Sequence, residues 1–147
     1  MKASLLLISH GNLAREVLAS ANMVAGDIPD TQVICMLDAD SMELTKSRTE
    51  EALAKWNDGR PVLIIVDVLG GTPSNVACQA AAGRENTAIV AGMNLAMLIE
   101  YALMDNEDLH AFAAHIADTG RSSVLVVPIA APETSPEADE DEIELDD

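Results

Sequence analysis

Five stretches of this 147-residue chain are short and almost wholly apolar, and between them apolar positions recur at helical spacing. The runs are Ala3–Ile8, Gln32–Leu37, Val62–Val66, Thr87–Ala91 and Ser122–Val127. They are rich in β-branched residues and too short for buried helices, which is how strands covered on both faces read. The intervening segments predict helices over 12–25, 42–57, 73–82, 94–104 and 107–118. In the first, Leu13, Val17, Leu18, Ala21, Val24 and Ala25 make an apolar stripe; in the second, Leu44, Ala52, Leu53 and Trp56 do. Local signals support these bounds. Gly26, Gly83 and Gly120 are placed to stop helices, Ser41 and Asn94 to cap them, Thr72 to offer a capping hydroxyl, and Pro73 to sit in a first turn. Strands alternating with helices predict an α/β three-layer sandwich with a mostly parallel sheet and right-handed crossovers. The first strand falls between the second and third, giving the order 2-1-3-4. The fifth run follows two consecutive helices, so an antiparallel edge strand is expected there, open to exchange between two protomers.

Composition narrows the class. Hydrophobic residues make up 49% of the chain, yet it has one Trp, one Tyr and one Phe, so the core must be aliphatic. No run approaches the roughly 20 apolar residues of a membrane span, and no small-residue cleavage site follows the first run. A soluble, cytoplasmic protein is expected. Cys35 and Cys78 form no CxxC motif and read as two buried thiols. The net charge is −17, and no basic residue follows Arg121, whereas nine acidic residues lie between Glu133 and Asp147. One domain is expected over residues 1–127, with 128–147 a Pro-, Ala- and acid-rich tail that cannot bury enough apolar surface to fold. The acidic balance argues against nucleic acid and favours fast docking with a basic protein.

Two strand ends carry candidate chemistry. The first run ends in Ser9-His10-Gly11 and the third in Asp67, followed by Gly70-Gly71-Thr72-Pro73. In the order 2-1-3-4, strands one and three flank the crevice where open parallel sheets bind ligands, at their carboxyl ends. His10 reads in three ways: a core histidine, a metal ligand, or a nucleophile with one free ring nitrogen and Asp67 holding the other. His110 and His115 are five apart in a later helix, so they share no face and offer it no metal partners. Asp67 as a phosphoacceptor would want an acidic pair after the first strand, where Ser9-His10 stands. A Ser-His-Asp hydrolase lacks its GxSxG elbow. Gly70, Gly71 and Thr72 could cradle a phosphate through amides and a hydroxyl, or form only a tight turn. Asn75 and Asn94 read as caps, and Met93 and Met97 as core or as an adaptable contact surface.

Ile8-Ser9-His10-Gly11, the segment Val66 to Asn75 (VDVLGGTPSN) and the segment Ala91 to Leu98 (AGMNLAML) together resemble the EIIA component of the mannose/fructose/sorbose class of bacterial sugar phosphotransferase systems (PTS). The likeness runs over about residues 1–127. It implies that His10 accepts a phosphoryl group from phospho-HPr and passes it to EIIB, which phosphorylates sugar imported through EIIC and EIID. It implies that Asp67 hydrogen-bonds the histidine and that Thr72 lies near the phosphoryl group. In the mechanism expected from these residues, amides near Gly71 and Thr72 support the phosphoryl oxygens, with no metal and no cofactor. The likeness also implies a homodimer with an exchanged C-terminal strand, here residues 122–127. Ala96 departs from the proline usual in the family, and the acidic tail stands where some members continue into EIIB, so a separate EIIA chain is expected. Three other readings share features with the chain. One is the phosphotransfer subunit of a dihydroxyacetone kinase, whose glycine region differs. Another is a small tetrapyrrole metal chelatase, which needs a second metal-binding side chain facing His10. The third is a non-catalytic binding module built on the Met93 region.

Overall fold

The computed structural model describes residues 2–105 and 108–130. Its elements run β1 (Ser4–His10), α1 (Leu13–Ala25), β2 (Thr31–Met36), α2 (Met42–Ala54), β3 (Val62–Val66), α3 (Thr72–Ala81), β4 (Thr87–Ala91), α4 (Leu95–Leu103) and α5 (Leu109–Ser122). The four strands form one sheet in the order β2-β1-β3-β4, and every pairing is parallel.

The unbroken apolar runs are explained by the layers. Successive side chains of a strand point to opposite faces, and both faces of this sheet are covered. Leu5 and Leu7 of β1 and Leu63 and Ile65 of β3 pack with Ala14, Ala21, Met97, Leu98, Phe112 and Ile116, which belong to α1, α4 and α5. Leu6, Ile8, Ile64 and Val66 face the other way, onto Ala52, Leu53, Trp56 and Ala77 of the α2–α3 side. Met93 and Met97 are buried, which settles their reading as core.

Several expectations need correcting. The inward stripe of α1 is Ala14, Val17, Leu18 and Ala21, so Leu13 and Val24 lie beside it, exposed. On α2 the inward positions include Thr45 and Thr49, while Leu44 is exposed. Each buried hydroxyl is satisfied one turn back, Thr45 donating to the Ser41 carbonyl (3.0 Å) and Thr49 to that of Thr45 (2.8 Å). Cys35 is buried as expected, but Cys78 is exposed, because it follows Ala77, the last inward residue of its turn. The α3 helix is capped by the extended Gly71 with no side-chain bond, so Thr72 is its first residue and not its cap. Ser41 and Asn94 do cap, accepting from the amides of Leu44 and Met97.

The C-terminal region differs most. Asp108 caps α5 by accepting from the amides of His110 and Ala111, and the helix passes through Gly120 to Ser122. Gly120 is needed inside it: an added Cβ there would lie 2.8 Å from the Cγ of Met97. Val124–Val127 therefore form no antiparallel edge strand within this chain, and the segment is exposed and outside any sheet. The expected disordered tail lies, from residue 131 on, outside the described residues. Among the described residues no helix is long and apolar enough to cross a membrane.

Candidate functional site

The register decides what meets at the carboxyl edge. Ile8 of β1 lies opposite Val66 of β3, so β1 runs two residues further along β2 and carries His10 past the last position paired with β3. Asp67 follows Val66 directly. Its carboxylate reaches across, with Oδ2 accepting from the His10 backbone amide (2.8 Å) and lying 2.7 Å from His10 Nδ1. Oδ1 accepts from the Val68 amide at 2.8 Å. The two residues, 57 apart in sequence, are thus locked through one carboxylate oxygen.

Electrostatics assign the proton. Burial works to raise the Asp67 carboxyl pKa, but the His10 amide, the His10 ring and the Val68 amide outweigh it, holding the group below its ordinary value. An ionised carboxylate only accepts, so Nδ1 must carry the hydrogen. In the neutral ring Nε2 then keeps its lone pair. The His10 side chain is 50% exposed and that of Asp67 only 9%. The ring is therefore gripped from beneath and open above.

The glycine turn forms the adjoining wall. Gly70 has φ +89°, a conformation that favours glycine. Gly71 has an ordinary φ of −79° but sits against the ring, where an added Cβ would lie 2.8 Å from His10 Cε1 and 3.4 Å from Nε2. From Gly71 the α3 helix begins, with Thr72 half-buried at its first position. First-turn amides have no intrahelical acceptor and face anions favourably. Behind Asp67, the Gly92 amide bonds the carbonyls of Val66 and Asp67 (both 3.1 Å), tying the end of β4 to that of β3.

The structure thus brings His10, Asp67 and Gly71 together, with Thr72 one residue beyond the wall. His115 is elsewhere, bridging α5 to Glu100 of α4. The sequence reading missed Ser9. It is fully buried, and its hydroxyl accepts from the Ala14 amide (2.8 Å) and lies 3.3 Å from the Gly11 carbonyl. A serine just before a glycine turn and a helix start was the available signal.

A family model described as the PTS system fructose IIA component, EIIA-man, matches residues 4–117. The chain belongs to this EIIA family. It is a PTS component of the mannose/fructose/sorbose class. A mannose-specific EIIAB component of Escherichia coli K12 is 30% identical over 127 residues, 84% of this chain. This chain spans only 39% of that relative's length. A sorbose-specific EIIA component of Lacticaseibacillus casei is 29% identical over 104 residues, 69% of this chain and 73% of its own. Among solved structures, a mannose/sorbose-specific IIA subunit of Enterococcus faecalis superposes with a TM-score of 0.82 at 36% identity, covering 92% of this chain and all of the other. The four-stranded order and the flanking helices are thus those of an EIIA domain.

Proposed function

We propose that the chain is a phosphocarrier in which Nε2 of His10 accepts a phosphoryl group from phospho-HPr and hands it to EIIB. The observation that carries this reading is the division of labour on one ring: Nδ1 is 2.7 Å from a buried carboxylate, while the ring is half exposed. The Nε2 lone pair attacks phosphorus as the donor's N–P bond breaks, its electron pair returning to the donor nitrogen. Positive charge grows on the ring during attack, and Asp67 stabilises it without taking the Nδ1 proton. The Gly71 and Thr72 amides at the start of α3 bind the phosphoryl oxygens, with the Thr72 hydroxyl beside them. Return transfer to EIIB runs the same geometry backwards. EIIB then phosphorylates sugar entering through EIIC and EIID. No metal or cofactor is called upon, and the work is cytoplasmic.

The carrier occupies residues 1–127, with 128–147 an acidic extension. Two chains pair by exchanging the segment that follows α5, residues 124–127. Support comes from Val124–Val127, which are 66–94% exposed, and from β4, whose outer edge has no partner strand among the described residues.

The test is incubation with phosphoenolpyruvate, Enzyme I and HPr, read by intact mass and acid lability. An acid-labile adduct absent from His10→Ala is expected. Full labelling of His10→Ala would refute the reading.

A further inference from the structure

We infer that Ser9 is a positioning residue that sets the His10 ring against Asp67. One Asp67 oxygen receives both the amide and the ring of His10, at 2.8 and 2.7 Å. Such a double grip works only if the backbone at His10 keeps one orientation, since a small rotation there carries the two nitrogens apart. The chain must also reverse at once, because α1 starts at Leu13 and Gly11 stands at φ +54°.

Three bonds hold that reversal. The Gly11 amide donates to the Met36 carbonyl at 2.7 Å, which fixes the turn to β2. The other two belong to the Ser9 hydroxyl, which accepts from the Ala14 amide at 2.8 Å and donates to the Gly11 carbonyl at 3.3 Å. Asn12, at the helix cap position, makes no side-chain cap bond, so Ser9 supplies that function from three residues earlier. Ser9 thus ties the start of α1 and the glycine turn together immediately behind the ring. It is fully buried, so its hydroxyl touches neither solvent nor an incoming phosphoryl group. Its action passes through His10.

An ordinary cap would affect stability alone. A positioning residue must also change how the ring shares its proton. The test is nitrogen-15 NMR of the His10 ring in the full chain, without any phosphoryl donor, with transfer rates from phospho-HPr measured alongside. In the wild type the Nδ1-protonated tautomer dominates. In Ser9→Ala the ring shifts to a mixture of tautomers, and kcat falls about tenfold with KM within about twofold. Ser9→Thr, which keeps the hydroxyl, restores both. Should Ser9→Ala not fold, Ser9→Cys, nearly equal in volume but a weak hydrogen-bonding group, provides the same readout. Wild-type ring signals in a folded Ser9→Ala or Ser9→Cys, with only a lower Tm, would overturn the assignment. The kinetic half rests on the phosphocarrier reading, whereas the tautomer does not. Labelling of His10→Ala would sink that reading and leave the ring measurement to judge Ser9.

Discussion

At the residue scale the site depends on a carboxylate kept charged under partial burial. Asp67→Asn removes the negative charge and puts an NH2 donor where one of the two accepting oxygens stood, while nearly preserving shape. Transfer should slow at least about tenfold, and stability at neutral pH should fall by about 2 kcal/mol, the scale of hydrogen bonds to a charged group. The pH dependence has a definite sign. Asp67 titrates below its ordinary value when folded, so its contribution is full above the unfolded value of 3.8 and fades as pH falls through the folded value. Urea denaturation should therefore show a constant gap between wild type and Asp67→Asn from neutrality to about pH 5, narrowing below about pH 4. A gap independent of pH would contradict this. Gly71→Ala is a separate probe. Its φ of −79° suits alanine, so the backbone is not strained, but the new Cβ would press on His10 Cε1 at 2.8 Å. Phosphorylation should fall at least tenfold with Tm changed by only a few degrees; unchanged labelling would show that the ring can move aside. His10 and Asp67 were legible because each interrupts or ends an apolar strand. Ser9, Thr45 and Thr49 were not, since sequence pattern treats a hydroxyl as polar, and only the fold reveals the backbone group that satisfies it.

At the element scale the interest lies where α4 meets α5. Asn94 accepts from the Met97 amide, capping α4, and donates to the Gly120 carbonyl of α5 at 3.0 Å. Gly120 itself admits the buried Met97 side chain. Gly120→Ala should cost about 1–3 kcal/mol through overpacking, and Met97→Ala in the same chain should recover part of that loss. Additive losses in chemical denaturation would mean that the two sites do not interact. Four strands were legible because continuous apolar runs identify strands buried on two sides. The fifth run was not, because Ser122 completes α5 and Val124–Val127 pair with no strand among the described residues. β-propensity reports fitness for a sheet without saying which sheet. Gly120 misled for a related reason: a glycine near a helix end resembles a stop signal, but here it serves a close contact.

At the scale of the whole molecule, two features face outward: an exposed aliphatic segment at 124–127 and a net charge of −17. If the segment exchanges between protomers, light scattering of the full chain should give a dimer, and a chain ending at Ser123 a monomer. A full-length monomer at high concentration would refute the exchange. The nine acidic residues from Glu133 to Asp147 raise the attraction for a basic partner. Deleting residues 133–147 should slow association with a basic partner protein several-fold at low ionic strength, with the difference gone near 1 M salt, where screening acts within about 3 Å. The proposed chemistry itself is placed on a single nitrogen. The direct measurement is nitrogen-15 and phosphorus-31 NMR of the chain phosphorylated through HPr, with its histidine rings labelled. The account predicts one phosphohistidine, at Nε2 of His10, with the Nδ1 proton still held toward Asp67. Phosphorus on Nδ1, or on any residue other than His10, would contradict it.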